Sequence, residues 1–369
     1  MPVSFAPENP SVAPKDAASQ HRPRPLPLFL EMVRRETTDA PERLTAALAG
    51  LRRYQQAARP TPPPPAPILA RAGRAVLRDY GGPADAPTVV FVPSLINPPS
   101  VLDLTPDRSL LRWLATQGLR PMLVDWGGPT PADANQNIAA HVEQMLLPLL
   151  DAAQALDSRN TPPALVGYCL GGTMAIAAAA ARPVAALALL AAPWSFAGFP
   201  DDSRAGLAKL WTDAAPATRQ LGLLPMELLQ AVFWQLDPAR TVARFVDFAT
   251  RPDIAAHVGL EDWANDGPPI ALAAGQELFE GLFRDDLPGR GLWTVAGGPV
   301  DPAAIACPIL DIVSTSDRIV PAASALSNRL PHAARLSLDL GHVGMVVGRQ
   351  GPERLWKPLR DWLLHPAAG

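Results

Sequence analysis

From residue 71 onward, short runs of consecutive apolar residues alternate with longer stretches of helical periodicity. The uninterrupted runs 88–92, 121–124, 164–168, 184–190, 308–313 and 334–338 predict strands. The segments 109–117, 138–156, 170–181 and 352–364 predict helices. Strands that are apolar on both faces and alternate with helices imply an α/β fold, a mostly parallel central sheet with helices on both sides. The rhythm stops at Pro193 and resumes at Pro308. Between them the chain is helical and loop-rich, with Trp211, Trp234, Trp263 and Trp293 spread through it. One sheet interrupted by an inserted helical cap accounts for this better than two independent domains. The expected division is a core of 68–195, a cap of 196–295 and a second core segment of 296–369.

Upstream, residues 1–26 are polar and proline-containing and are expected to lack order, while 27–59 carry a helical pattern in which Leu44, Leu48 and Leu51 recur. The run Thr61-Pro62-Pro63-Pro64-Pro65-Ala66-Pro67 favours extended polyproline geometry and marks a boundary, so 1–67 reads as an N-terminal extension and linker. The apolar stripe of that extension needs a cover, and packing on its own chain is the favoured reading.

Composition narrows the function classes. The chain has 369 residues, 48% of them hydrophobic, and a net charge of -3, which gives no electrostatic reason to expect nucleic acid as a partner. Two cysteines cannot build a disulfide framework and fit a reducing compartment, so the cytoplasm is the expected location. No apolar run is long enough to predict a transmembrane segment, and no secretory leader is visible. Without CxxC pairs or clustered histidine and cysteine, neither a metal nor a cofactor is expected.

The strongest chemical signal is Leu165-Val166-Gly167-Tyr168-Cys169-Leu170-Gly171-Gly172-Thr173, a cysteine between an apolar strand and an alanine-rich helix. This has the form of a nucleophile elbow, whose sharp turn leaves little room two positions before and after the nucleophile; Gly167 and Gly171 occupy those positions. The following helix aims its amide end at the sulfur, which favours a thiolate. The competing reading is a buried structural cysteine beside packing glycines.

A thiolate nucleophile needs a base and an orienting acid, in the chain order nucleophile, acid, histidine. His342, in Gly341-His342-Val343-Gly344-Met345, follows the last predicted strand, and Asp317 follows the strand at 308–313, so both belong to loops at the carboxyl edge of the sheet. His332 is the weaker histidine, beside Pro331 in a turn, and Asp311 would be buried in mid-strand. Asp317 would fix the tautomer of His342. The oxyanion hole should combine the amide of Leu170 with one near Leu95, in the loop Phe91-Val92-Pro93-Ser94-Leu95-Ile96-Asn97. Asn97 reads equally as a turn residue, and Cys307 as a small buried hydrophobe.

These segments, with Val101-Leu102-Asp103-Leu104 and Asp125-Trp126-Gly127-Gly128-Pro129, resemble the polyhydroxyalkanoate synthases of the α/β-hydrolase superfamily. The nearest class is the short one whose catalytic subunit acts on short-chain substrates with an accessory subunit. The resemblance covers roughly residues 75–195 and 300–365, and Glu261-Asp262-Trp263-Ala264-Asn265-Asp266 matches more loosely; Arg318 stands where the family commonly has histidine. The resemblance implies transfer of 3-hydroxyacyl groups from a CoA thioester onto Cys169 and then onto a growing polyester. CoA would enter as part of the substrate, and an accessory subunit, a second copy or a polyester granule surface would be the partners. Two other readings stay open: a cysteine hydrolase such as a depolymerase or acyl-CoA thioesterase, and a non-catalytic granule-associated protein.

Overall fold

The computed structural model describes residues 23, 25–157, 160–252 and 255–367. Its centre is an eight-stranded sheet of β1 (Ile68–Ala72), β2 (Ala75–Asp79), β3 (Thr88–Val92), β4 (Arg120–Asp125), β5 (Ala164–Tyr168), β6 (Leu187–Leu190), β7 (Ile309–Ser314) and β8 (Ala334–Leu338), in the order β1-β2-β4-β3-β5-β6-β7-β8. Only the pairings made by β2 are antiparallel; the others are parallel. The hairpin of β1 and β2 was not expected from the sequence. Its edge strand is half exposed, so it lacks the unbroken apolar run that marks β3 and β5.

The principal helices are α1 (Leu26–Glu36), α2 (Pro41–Gln56), α3 (Leu110–Ala115), α4 (Leu147–Leu156), α5 (Leu170–Ala181), α6 (Asp201–Leu221), α7 (Met226–Leu236), α8 (Pro238–Thr250), α9 (Ala255–Ala264) and α10 (Lys357–Leu364). The expected helix 138–156 is one continuous run in which a π turn, Val142–Leu146, precedes α4. Side chains alternate across the sheet and build a core on each face. Val90 and Val92 of β3 pack with α4 and α5, while Val89 and Phe91 face Leu110, Leu114 and Leu359 of α3 and α10.

β6 and β7 are neighbours in the sheet, yet the helices α6 to α9 lie between them in sequence and form the cap over the carboxyl ends of the strands. The N-terminal pattern at 27–59 is corrected from one helical stretch to two helices, α1 and α2, separated by Thr37–Ala40, where threonines and Asp39 precede Pro41. Phe29, Met32 and Val33 of α1 and Leu51 and Tyr54 of α2 bury themselves against Trp234, Phe245 and Phe248 of the cap. Contact between α2 and α8 is backbone-close: a Cβ on Gly50 would lie 1.7 Å from the Phe245 carbonyl oxygen. Leu48 faces outward at 41% exposure. Residues 1–22 and 24, part of the segment expected to be unordered, lie outside the described residues. Among the described residues no helix is long and apolar enough to cross a membrane.

Candidate active site

β5 ends at Tyr168 and α5 begins at Leu170, so Cys169 alone makes the turn, with φ 56° and ψ -131°. A non-glycine residue in that region is strained, and the surrounding packing must hold it there. Three glycines let the backbone close around it. A Cβ on Gly171 would lie 2.1 Å from the Val92 carbonyl oxygen, one on Gly167 2.4 Å from the Cα of Gly172, and one on Gly172 2.2 Å from the Cβ of Ala192. The start of α5 is therefore wedged against the end of β3, and the sulfur stands at the helix's amide end.

His342 and Asp317 come from the loops after β8 and β7, and parallel pairing of these two strands brings the loops side by side. The Asp317 carboxylate is fully buried; one oxygen meets His342 Nδ1 at 2.6 Å, and the other accepts from the amides of Ile319 at 2.7 Å and Val320 at 3.1 Å. Ser314 Oγ donates to the Leu340 carbonyl and ties the two loops together. The His342 ring, in a residue 8% exposed, lines the same cavity as Cys169, whose sulfur acts on it electrostatically. Burial is the largest influence on this imidazole and opposes its charging. Even so, the Asp317 carboxylate and the Cys169 sulfur outweigh it and raise the pKa to about 10.

Tyr168, the residue before the cysteine, stacks on the His342 ring and donates its hydroxyl to the His342 carbonyl oxygen. Burial, followed by the proximity of Cys169 and Asp317, holds its phenol well above the usual range, so it remains a neutral donor. Sequence reading passed over Tyr168, because an aromatic at the end of a buried strand carries no mark of what it will stack on.

Two cavities meet at Cys169. One of about 390 Å³ runs beneath the cap and is lined by Ile96, Leu170 and a set of phenyl rings. The other, about 170 Å³, carries Ser94, Asn97, Gln230, Arg244 and His342. Leu95 itself lines neither; it faces a larger outer cavity between the proline-rich linker and the cap. The amide of Ile96, next along, is engaged by Ser94 Oγ at 3.0 Å. Asn97 adopts φ 64°, and its side-chain amide donates to the carbonyls of Ala264 at 3.2 Å and Asp266 at 3.4 Å, while Trp263 Nε1 donates to Pro98 at 2.8 Å. The 261–266 segment thus grips the loop after β3.

His332, Asp311, Cys307 and His141 line neither cavity at the cysteine. His332 is exposed, Asp311 is fully buried and accepts from the Ser327 amide at 2.7 Å, and burial pushes the Cys307 thiol up to about 11. His141 is buried, and burial, helped by the neighbouring Arg74 guanidinium, takes its pKa down to about 4. Arg318, adjacent to Asp317, points outward and pairs with Asp237 of the cap. Among the described residues no cluster of His, Cys, Asp or Glu could hold a metal ion.

No family model matches the chain. It is 28% identical over 290 residues to the poly(3-hydroxyalkanoate) polymerase subunit PhaC of Haloferax mediterranei, an alignment covering 74% of this chain and 58% of that relative. To the subunit of the same name from Allochromatium vinosum it is 27% identical over 310 residues, covering 78% of this chain and 85% of the relative. The fold is similar to that of a thermophilic esterase from Thermogutta terrifontis, with TM-score 0.52 at 17% identity over 82% of this chain and 98% of that one. Over about three quarters of its length the chain is thus similar to poly(3-hydroxyalkanoate) polymerase PhaC subunits, and it has an α/β-hydrolase fold.

Proposed function

We propose that the chain is a polyhydroxyalkanoate synthase-like acyltransferase that polymerises 3-hydroxyacyl groups through an acyl-cysteine at Cys169. The observation that carries this reading is that one imidazole, His342, bonds the Asp317 carboxylate at 2.6 Å and shares a cavity with the Cys169 sulfur. In the first step the sulfur attacks the thioester carbonyl carbon, the C–S bond to CoA breaks, and CoA leaves with the proton held by His342. Exchange of one thioester for another is nearly balanced in free energy, so the acyl group stays activated. In the second step His342 accepts the proton of a 3-hydroxyl group as that oxygen attacks the acyl carbon, an ester forms and Cys169 is released. Asp317 holds the ring in the productive tautomer, and the amides of Leu170 and of the loop at Leu95 would receive the developing oxyanion.

The apolar lining of the larger cavity supports transfer over hydrolysis, since it disfavours water beside the acyl-cysteine. CoA is a substrate in this scheme, and no separate cofactor is needed. An accessory subunit or second copy, and association with a polyester granule from the cytoplasm, belong to the same proposal. The test is incubation with 3-hydroxybutyryl-CoA while CoA release and acyl product are followed together. Polyester or a covalent oligomer on Cys169 is expected. Free 3-hydroxy acid as the sole product would make the chain a thioesterase, and no CoA release with any 3-hydroxyacyl thioester would leave the granule-associated reading.

A further inference from the structure

We infer that the 390 Å³ cavity is the site for the substituent on C3 of the incoming acyl group, and that the enzyme therefore prefers medium-chain 3-hydroxyacyl thioesters, of about eight carbons, over 3-hydroxybutyryl. This rests on the acyltransferase reading of Cys169 and departs from the short-chain class that the motifs resemble.

The two cavities at the cysteine differ in chemistry. Ile96, Cys169, Phe233 and Ile319 are common to both and form the waist between them. The smaller offers amide, hydroxyl and guanidinium groups, through Gln230, Asn97, Ser94 and Arg244, and suits the amide-bearing arm of CoA. The larger offers Phe196, Phe199, Phe279, Phe283, Leu207 and Leu229 and almost nothing polar. Its few polar residues are Ser203, Asp317, whose carboxylate is buried against His342, and Arg318, whose side chain is 65% exposed and paired with Asp237. Phe199 and Phe196 meet Phe283 edge to face at 5.0 and 5.1 Å, so that end of the wall is a locked aromatic cluster.

Size then selects the ligand. A protein cavity of about 150 Å³ accepts benzene, six carbons. A 3-hydroxybutyryl group presents one methyl beyond C3 and would leave most of 390 Å³ unfilled, whereas 3-hydroxyoctanoyl presents five carbons. Each methylene taken from water into an apolar site is worth roughly 0.8 kcal/mol, a factor of about four. Four extra methylenes give a preference of at least ten-fold once imperfect fit and chain ordering are deducted.

The full chain is given equal concentrations of 3-hydroxybutyryl-CoA and 3-hydroxyoctanoyl-CoA, and the acyl group on Cys169 is identified by intact mass alongside the kcat/KM for CoA release with each. The expected ratio favours the eight-carbon substrate at least ten-fold. Leu207→Trp and, separately, Ser203→Phe fill the cavity from α6 and are expected to bring the ratio below three. Competition makes the ratio independent of how much of each variant folds. Efficient acylation by the four-carbon substrate with a ratio of one or less overturns the cavity assignment and leaves the acyltransferase reading intact. A high ratio unchanged in both variants, with shortened polymer, also overturns it and assigns the cavity to the growing chain. Absence of an acyl-enzyme from either thioester overturns both readings together.

Discussion

The rings of Tyr168 and His342 lie 5.1 Å apart at an interplanar angle of 25°, and the Tyr168 hydroxyl reaches back to the His342 carbonyl oxygen at 3.3 Å. One side chain thus holds both the ring and the backbone of His342, from the residue immediately before the cysteine. Tyr168→Phe keeps the stack and leaves a buried carbonyl without its donor, a loss of about 1 kcal/mol in stability with kcat reduced less than ten-fold. Tyr168→Leu removes the stack as well, and kcat is expected to fall by on the order of 100-fold while KM stays within about three-fold, as for a misplaced base. Equal activity of the two variants in a CoA-release assay would show that the ring does not position His342.

His342 is more basic in the folded chain, at about 10, than its ordinary value of 6.5, so the native state holds that proton more tightly than the unfolded one. Its contribution to stability is full below about pH 6.5 and is lost as pH rises through about 10. Nitrogen-15 spectra of the histidine rings should show His342 still protonated at pH 8. In calorimetry, the advantage of the native protein over His342→Gln should shrink steadily from pH 7 to pH 10. A ring already neutral at pH 7.5 would contradict the charge arrangement described.

Two glycines with opposite surroundings make a controlled pair. Alanine at Gly171 drives a methyl into the backbone of Val92 and Pro93, both less able to yield than a side chain, and should cost about 3 kcal/mol or more and abolish acylation of Cys169. Gly206 is exposed on α6 with nothing within 4 Å of the added carbon, so Gly206→Ala should stabilise by about 0.5–1 kcal/mol through helix propensity. Chemical denaturation of the two variants decides both signs in one experiment.

What the sequence made legible follows from how far each signal reaches. β3 and β5 are unbroken apolar runs, and their register falls where the runs lie because both faces are buried. Cys169, Asp317 and His342 could be chosen together because each follows a parallel strand, and the carboxyl ends of parallel strands converge whatever the rest of the chain does. β1 and β2 were hidden because Arg71 and Arg78 interrupt their apolar residues and Arg74 sits in the turn between them, Arg74 pairing with Asp133 and Arg78 with Asp125. The contacts of the cap were hidden for a different reason. Tyr54 with Asp262 and Asn97 with Ala264 join residues well over 100 positions apart, and no local period encodes such pairs.

Asp317→Asn keeps the size of the side chain but offers an amide to His342 Nδ1, so the ring can settle in the wrong tautomer. A loss of on the order of 10³–10⁴ in kcat is expected, as for the equivalent change in other triads. Because the Ile319 and Val320 amides still meet the remaining oxygen, the loop should stay ordered and Cys169 should still be alkylated, only slowly. Full activity of this variant in CoA release would remove Asp317 from the mechanism.

The N-terminal helices reach the chemistry through the cap. Tyr54 and Arg59 hold Asp262 at 2.7 and 3.0 Å, and the next residues, Trp263 and Ala264, hold Pro98 and Asn97 in the loop after β3. Arg53 adds a bond to the Phe248 carbonyl at 2.9 Å, at the end of α8. Gly50→Ala places a methyl where the Phe245 carbonyl now sits and forces α2 off α8, which loosens this brace without touching the cavity at Cys169. Water should then reach the acyl-enzyme more easily, and the ratio of free 3-hydroxy acid to polyester is expected to rise at least five-fold, along with a loss of about 2 kcal/mol in stability. Measured below the unfolding transition, an unchanged product ratio would mean that α1 and α2 stabilise the cap without shaping what it excludes.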